Sequence, residues 1–245
     1  MRLIQTRLFL GFAFLLGCAS SRAGELLSFD ASSVPAEVYV SSSQPLFEHA
    51  PLIAASTSPG YTGLPVYCGF QMEGRSLLAA SKRAGAGLKI RWNNGKGLPG
   101  ESCSGLFVFK CADVPHASPD AVVAISPQAV AELSYGYMNP GLMGPNEAIK
   151  DASLRFVFKD DSGFYISAPT PVSSTGECRF NLRSQTYFTY NPTSNTSKEV
   201  GISGAEAVPT FQKVEYLGFR LDAIRGSNVS EGANIGVVRF SVQEN

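Results

Sequence analysis

The side chains that could do chemistry are few and widely spaced. Asp160 and Asp161 are adjacent in Lys159-Asp160-Asp161-Ser162-Gly163, and a carboxylate pair invites acid–base or calcium chemistry. Glycosidase carboxylates face each other across a substrate about 5–10 Å apart, which neighbours in a turn do not do. Calcium takes about six to eight oxygens, usually from a Dx[DN]x[DN]G loop, and that loop is absent. A hairpin turn is therefore the expectation for this pair. Gly100-Glu101-Ser102-Cys103-Ser104-Gly105 has the flavour of a nucleophile elbow without its GxSxG spacing. The two histidines, His49 and His116, both stand in Pro- and Ser-rich sequence, and no catalytic triad or metal site is expected from them. Gly85-Ala86-Gly87 beside Lys82-Arg83 is followed by strand-like sequence instead of a helix, so it is no phosphate loop.

Aromatic rings are the larger resource, with 9 Tyr, 16 Phe and the single Trp92. A sugar's C–H face stacks on an exposed ring, and polar neighbours then bind its hydroxyls. Trp92 shares a face with Leu88 and Ile90 and reads as core. Tyr165 alternates with Phe164 and Ile166, and is expected to point outward. In Tyr187–Tyr190, placing Phe188 inward takes Tyr190 with it and leaves Tyr187 facing out. Tyr135-Gly136-Tyr137 sets two rings on one face around a glycine. Tyr135, Tyr137, Tyr165 and Tyr187 are thus the candidate ligand-binding residues, although each also reads as a half-buried residue of a β-sheet protein.

The elements that must position these rings are strands. Leu88–Trp92, Leu154–Lys159 and Val214–Asp222 alternate apolar and polar residues with period two. Leu154, Phe156 and Phe158 are expected inward, as are Leu217, Phe219 and Leu221, opposite Gly218, Arg220 and Asp222. Asp160–Gly163 joins Leu154–Lys159 to Phe164–Ser167 as a hairpin. Further strands are expected at Leu26–Asp30, Val66–Met72, Leu106–Cys111, Thr186–Tyr190 and Gly236–Val242. Only Ser126–Leu133 suggests a short helix, with Ser126 as N-cap and Pro127 in the first turn. Irregularly spaced strands, 24 Gly, 15 Pro and no βαβ alternation point to an all-β, antiparallel β-sandwich.

Composition bounds the rest. Lys+Arg and Asp+Glu balance at 20 each, which removes the usual electrostatic case for nucleic acid. Met1–Arg7 carries Arg2 and Arg7, and Leu8–Leu16 is an apolar run followed by small residues, the layout of a bacterial export signal over residues 1–23. The run is too short for a transmembrane helix. Leu15-Leu16-Gly17-Cys18 resembles a lipobox, with Cys18 lipidated after cleavage before it. Ser21-Arg22-Ala23 instead offers an ordinary signal-peptidase site. Residues 25–245 are read as one β-sandwich domain, exported to the cell envelope or beyond. Setting Cys18 aside leaves Cys68, Cys103, Cys111 and Cys178, an even count that suggests two disulfides in an exported chain. Cys103 and Cys111 bracket a strand about 26 Å long, too far to bridge each other. Each is therefore expected to pair with Cys68 or Cys178, unless all are buried free thiols.

The sequence from Leu154 to Ser167 resembles a segment of secreted bacterial jelly rolls of the galactose-binding-like superfamily. In those, an Arg-led apolar strand turns through an acidic-Gly hairpin into aromatic-Tyr-Ile-Ser. Tyr187-Phe188-Thr189-Tyr190-Asn191-Pro192 is similar to their aromatic strand, and Val214–Phe219 with Gly236–Val242 to their closing strands. The similarity spans roughly residues 150–243. It implies a jelly roll and a carbohydrate ligand, a polymer or cell-surface glycan, and in some members a structural calcium. Here the hairpin strand lacks the tryptophan on which a sugar would stack. The combined expectation is a non-catalytic carbohydrate-binding module without a cofactor, touching a membrane only through a lipid anchor. A structural or adhesive envelope protein with protein partners is the second reading, and an enzyme with an unrecognised site the third.

Overall fold

Period-two alternation recurs through the described residues, and strands are what it builds. The computed structural model describes residues 24–31, 39–40, 63–72, 77–83, 87–93, 98–114, 122–137, 144, 147, 149–172, 176–192, 202–228 and 233–244. The expected export signal, Cys18, His49 and His116 lie outside them, as do the side chains of Trp92, Cys103 and Tyr137. In chain order the strands are β1 (Glu25–Asp30), β2 (Tyr39–Val40), β3 (Tyr67–Met72), β4 (Leu77–Arg83) and β5 (Gly87–Asn93). Next come β6 (Ser102–Lys110), β7 (Val130–Tyr137), β8 (Ile149–Asp160), β9 (Gly163–Ser167) and β10 (Thr170–Pro171). The last are β11 (Glu177–Asn181), β12 (Tyr187–Tyr190), β13 (Ile202–Ala207), β14 (Tyr216–Arg225) and β15 (Ala233–Gln243).

They form two antiparallel sheets. The first runs β11-β7-β15-β5-β4-β2, with β1 beside the C-terminal half of β15. The second runs β13-β12-β9-β8-β14-β6-β3, with β10 also pairing with β8. Their inner faces meet through phenylalanines. Phe109 of β6 packs on Phe29 of β1 at 5.0 Å and on Phe240 of β15 at 5.5 Å. Phe156 of β8 reaches Phe180 of β11 at 6.2 Å. Burying such rings is the main driving force for closing the sheets on one another. The fold is all-β and antiparallel, as expected, and a β-sandwich is compatible with it. No helix among the described residues is long and apolar enough to cross a membrane.

Two expectations are corrected. The short helix at Ser126–Leu133 is a turn at Pro127–Gln128 followed by β7. Ala131, Leu133 and Tyr135 are buried in the core while Glu132, Ser134 and Gly136 are not, so the period is two and the strand wins over the capping signal. The expected pair of disulfides is also absent, because Cys68, Cys111 and Cys178 are buried free thiols. Cys68 of β3 stands opposite Phe107, and Cys103 of β6 opposite Met72. That offset of four residues separates Cys68 from Cys103 by about 13 Å along the strands, beyond disulfide reach. Cys178 lies in the other sheet, opposite Leu133.

The second sheet is apolar on both faces. Its inner face joins the core between the sheets. On its outer face Leu106, Val108, Val157, Phe164, Ile166 and Tyr190 form a separate buried cluster.

Candidate functional site

The register of β6, β14 and β8 sets the outer face of the second sheet in rows. Lys110, Tyr216 and Lys159 form one row, then Val108, Gly218 and Val157, then Leu106, Arg220 and Arg155, then Ser104, Asp222 and Ser153. Down this face the surface changes from aromatic and cationic, through buried aliphatic, to charged.

At the charged end four side chains interlock. Asp222 accepts hydrogen bonds from Ser104 Oγ (2.6 Å) and Arg220 Nε (2.6 Å) on Oδ1, and from Arg155 Nε (3.0 Å) on Oδ2. Arg220 Nη2 donates to Ser104 Oγ at 2.9 Å, and Arg155 Nη1 to the carbonyl of Ser167 at 3.2 Å. Arg220 is 1% exposed, and its guanidinium lies 5.3 Å from the ring centre of Tyr190. Burial works against the Arg220 charge, but Asp222 and Tyr190 outweigh it and hold the guanidinium firmly protonated. A buried arginine is tolerated only with this degree of pairing. Arg155 retains 14% exposure of its side chain.

The network is the floor of an open cavity of about 390 Å³. Ser102, Ser153, Lys150 and Asp151 add polar groups to its wall, and Ile202 of β13 adds an apolar lip. The rim is fixed by a turn whose Gly100 takes φ +87°, a backbone region that favours glycine. Gly100 N donates to Arg225 O at 2.9 Å, and Arg225 N to Glu101 O at 2.9 Å, which ties the turn to the end of β14. Such a wall can hold a polar ligand through charge-assisted hydrogen bonds from side chains already locked in place.

No protein-family model matches the chain, and no curated protein is similar to it.

The expected tyrosines are not brought together. Tyr135 is 4% exposed and belongs to the core between the sheets. Tyr187 is 3% exposed. It donates its hydroxyl to the Leu182 carbonyl at 3.0 Å and packs edge-on against Phe158 and Phe211. Burial raises its phenol well above the ordinary value. Tyr165 stacks on Phe158 at 5.1 Å and packs against the same core. Its alternation with Phe164 and Ile166 is as expected, but the faces are exchanged. Phe164, Ile166, Phe188 and Tyr190 belong to the outer cluster, while Tyr165 and Tyr187 turn inward.

Among the described residues, Tyr67 and Tyr216 stand partly exposed on the outer face, 6.4 Å apart and nearly perpendicular. Lys110 Nζ lies 4.6 Å from the Tyr67 ring centre and 5.9 Å from that of Tyr216. Burial raises the Tyr216 phenol, and the charge of Lys110 opposes the rise. Sequence alternation already put Arg220 and Asp222 on this face, but Arg155 and Ser104 join them only through the register of three strands.

Asp160 and Asp161 form a turn, as expected. Asp160 is buried and accepts the Ser162 amide at 2.8 Å, while Asp161 pairs with Lys213 at 3.4 Å. Among the described residues, no group of three or more His, Cys, Asp or Glu could hold a metal ion.

Proposed function

We propose that the protein is an exported, lipid-anchored envelope protein whose domain over residues 25–245 is a non-catalytic carbohydrate-binding module. The domain is read as a jelly roll of the galactose-binding-like type, with Cys18 carrying the anchor. One observation carries the ligand reading, the open cavity floored by Ser104, Asp222, Arg155 and Arg220. Sugar hydroxyls both donate and accept, and this wall offers carboxylate acceptors beside guanidinium, ammonium and hydroxyl donors. Because the Ser104–Asp222–Arg220 core is already hydrogen-bonded, a ligand meets groups whose ordering cost has been met by folding.

The proposed ligand site is the cavity, in place of Tyr135, Tyr165 and Tyr187; Tyr67 and Tyr216 stand at the opposite end of the same sheet face. The test is affinity electrophoresis of the full-length protein through gels containing a panel of neutral and acidic polysaccharides. Retardation by one or more polymers, reduced at least about tenfold by Asp222→Asn in a variant with an unchanged far-UV spectrum, supports the reading. Migration unaltered by every polymer overturns it and leaves an envelope protein with protein partners. For the anchor, incorporation of a radiolabelled fatty acid that is lost in Cys18→Ser is expected; labelling that persists in that variant rejects it.

A further inference from the structure

We propose that the cavity recognises an oxyanion, a carboxylate or sulfate group borne by the ligand, with Arg155 as its main contact. This rests on the binding reading and names what the ligand must carry. Three cations, Lys150, Arg155 and Arg220, line the cavity against two carboxylates, Asp151 and Asp222. The chain as a whole balances its charges, so this local excess is a property of the site.

The excess arises because two guanidiniums share one carboxylate. Asp222 spends Oδ1 on Arg220 and Oδ2 on Arg155. Arg220 is buried beneath, bonded to Asp222 and Ser104 and facing Tyr190. Arg155 is different. It gives Nε to Asp222 and Nη1 to Ser167, while its Nη2 has no hydrogen bond to a described residue. Its orientation is thus fixed by two bonds, and a donor edge remains on a cavity-lining, partly exposed side chain. A planar guanidinium held this way matches the oxygens of a carboxylate or sulfate. Lys150, exposed at the start of β8, adds a mobile cation at the same wall. A neutral sugar would leave the cationic excess without a counterpart, whereas an oxyanion neutralises it.

The experiment measures retardation of the full-length protein at low salt by polygalacturonate, dextran sulfate, neutral dextran and polyglutamate, for the wild type, Arg155→Gln and Lys150→Gln. Expected is retardation by polygalacturonate or dextran sulfate about tenfold stronger than by dextran, falling as salt screens the charges. Arg155→Gln should abolish the difference, and Lys150→Gln should reduce it by about threefold without altering the melting temperature. Preference for one of the two acidic polysaccharides tells carboxylate from sulfate. Equal retardation by dextran, or an acidic preference unchanged in both variants, overturns the oxyanion while the binding reading stands. Polyglutamate binding as well as polygalacturonate upholds the oxyanion and overturns the sugar. If Arg155→Gln fails to fold, the surface variant Lys150→Gln still decides, because an undiminished acidic preference in it overturns the proposal.

Discussion

A carboxylate shared by two arginines and a serine is first of all part of the frame, and removing the buried partner exposes how much of the frame it carries. Arg220→Met strips Asp222 and Ser104 of their inner donor, the one member of the network that is almost wholly buried. A loss of about 2 kcal/mol is expected in urea unfolding, since Asp222 keeps Arg155 as its counter-ion but loses a charge-assisted hydrogen bond. The thiols give a second prediction at this scale. Burial pushes Cys68 and Cys111 up to about 12 and Cys178 up to about 11, from an ordinary 9.0. An unfolded chain releases these protons near pH 9 and the folded chain holds them, so unfolding gains as the pH rises. The stability they contribute is complete below pH 9 and declines between pH 9 and 12, which thermal melts across that range would register. At pH 8, mass spectrometry after brief treatment of the native protein with a thiol reagent should find Cys68, Cys111 and Cys178 unlabelled. Composition misleads about the pairing of these cysteines for a plain reason. An even count in an exported chain is a statement about composition, whereas a disulfide depends on register, and β3 and β6 hold Cys68 and Cys103 four residues apart.

Between residues and whole, the strands show where local pattern is sufficient. β8, β9 and β14 follow their alternation, and the Leu154, Phe156, Phe158 face is buried as the pattern demands. Alternation says which residues share a face but not which face is inside. For β9 and β12 both faces are apolar, because the second sheet carries its own outer cluster, and Tyr165 and Tyr187 accordingly point the other way. β7 was hidden by a Ser-Pro opening whose capping chemistry serves a turn equally well. Gly218 of β14 tests the closeness of these strands. A Cβ there would lie 2.0 Å from the Phe107 carbonyl oxygen of β6, so Gly218→Ala should cost about 2–3 kcal/mol by chemical denaturation. The β8–β9 hairpin supplies a pH effect. Burial raises the Asp160 carboxyl above its ordinary 3.8, opposed by the Ser162 and Gly163 amides and reinforced by Asp161. A raised carboxyl favours the folded state at low pH, and that contribution disappears as pH rises past 3.8. Asp160→Asn keeps the acceptor for the turn and cannot ionise. Its melting temperature relative to wild type should therefore climb between pH 4 and pH 7.

Across the whole molecule, one continuous core draws on both sheets, from Leu27 and Phe240 in the first to Phe107 and Leu221 in the second. The two sheets should consequently unfold in a single step. Trp92 belongs to β5, so its fluorescence reports on the first sheet, and its denaturation curve should coincide with that from far-UV circular dichroism. How those sheets come to exist has an order built into it. β14 joins β6 to β8, and β15 joins β7 to both β5 and β1. Both connecting strands follow all the other described strands in sequence, and until residues 216–243 are in place the earlier strands have edges with nothing between them. A chain without β14 and β15 is thus an open one, in which neither sheet can be completed. A chain in that condition can be threaded through a narrow pore or captured by a holding chaperone for as long as β14 and β15 are withheld.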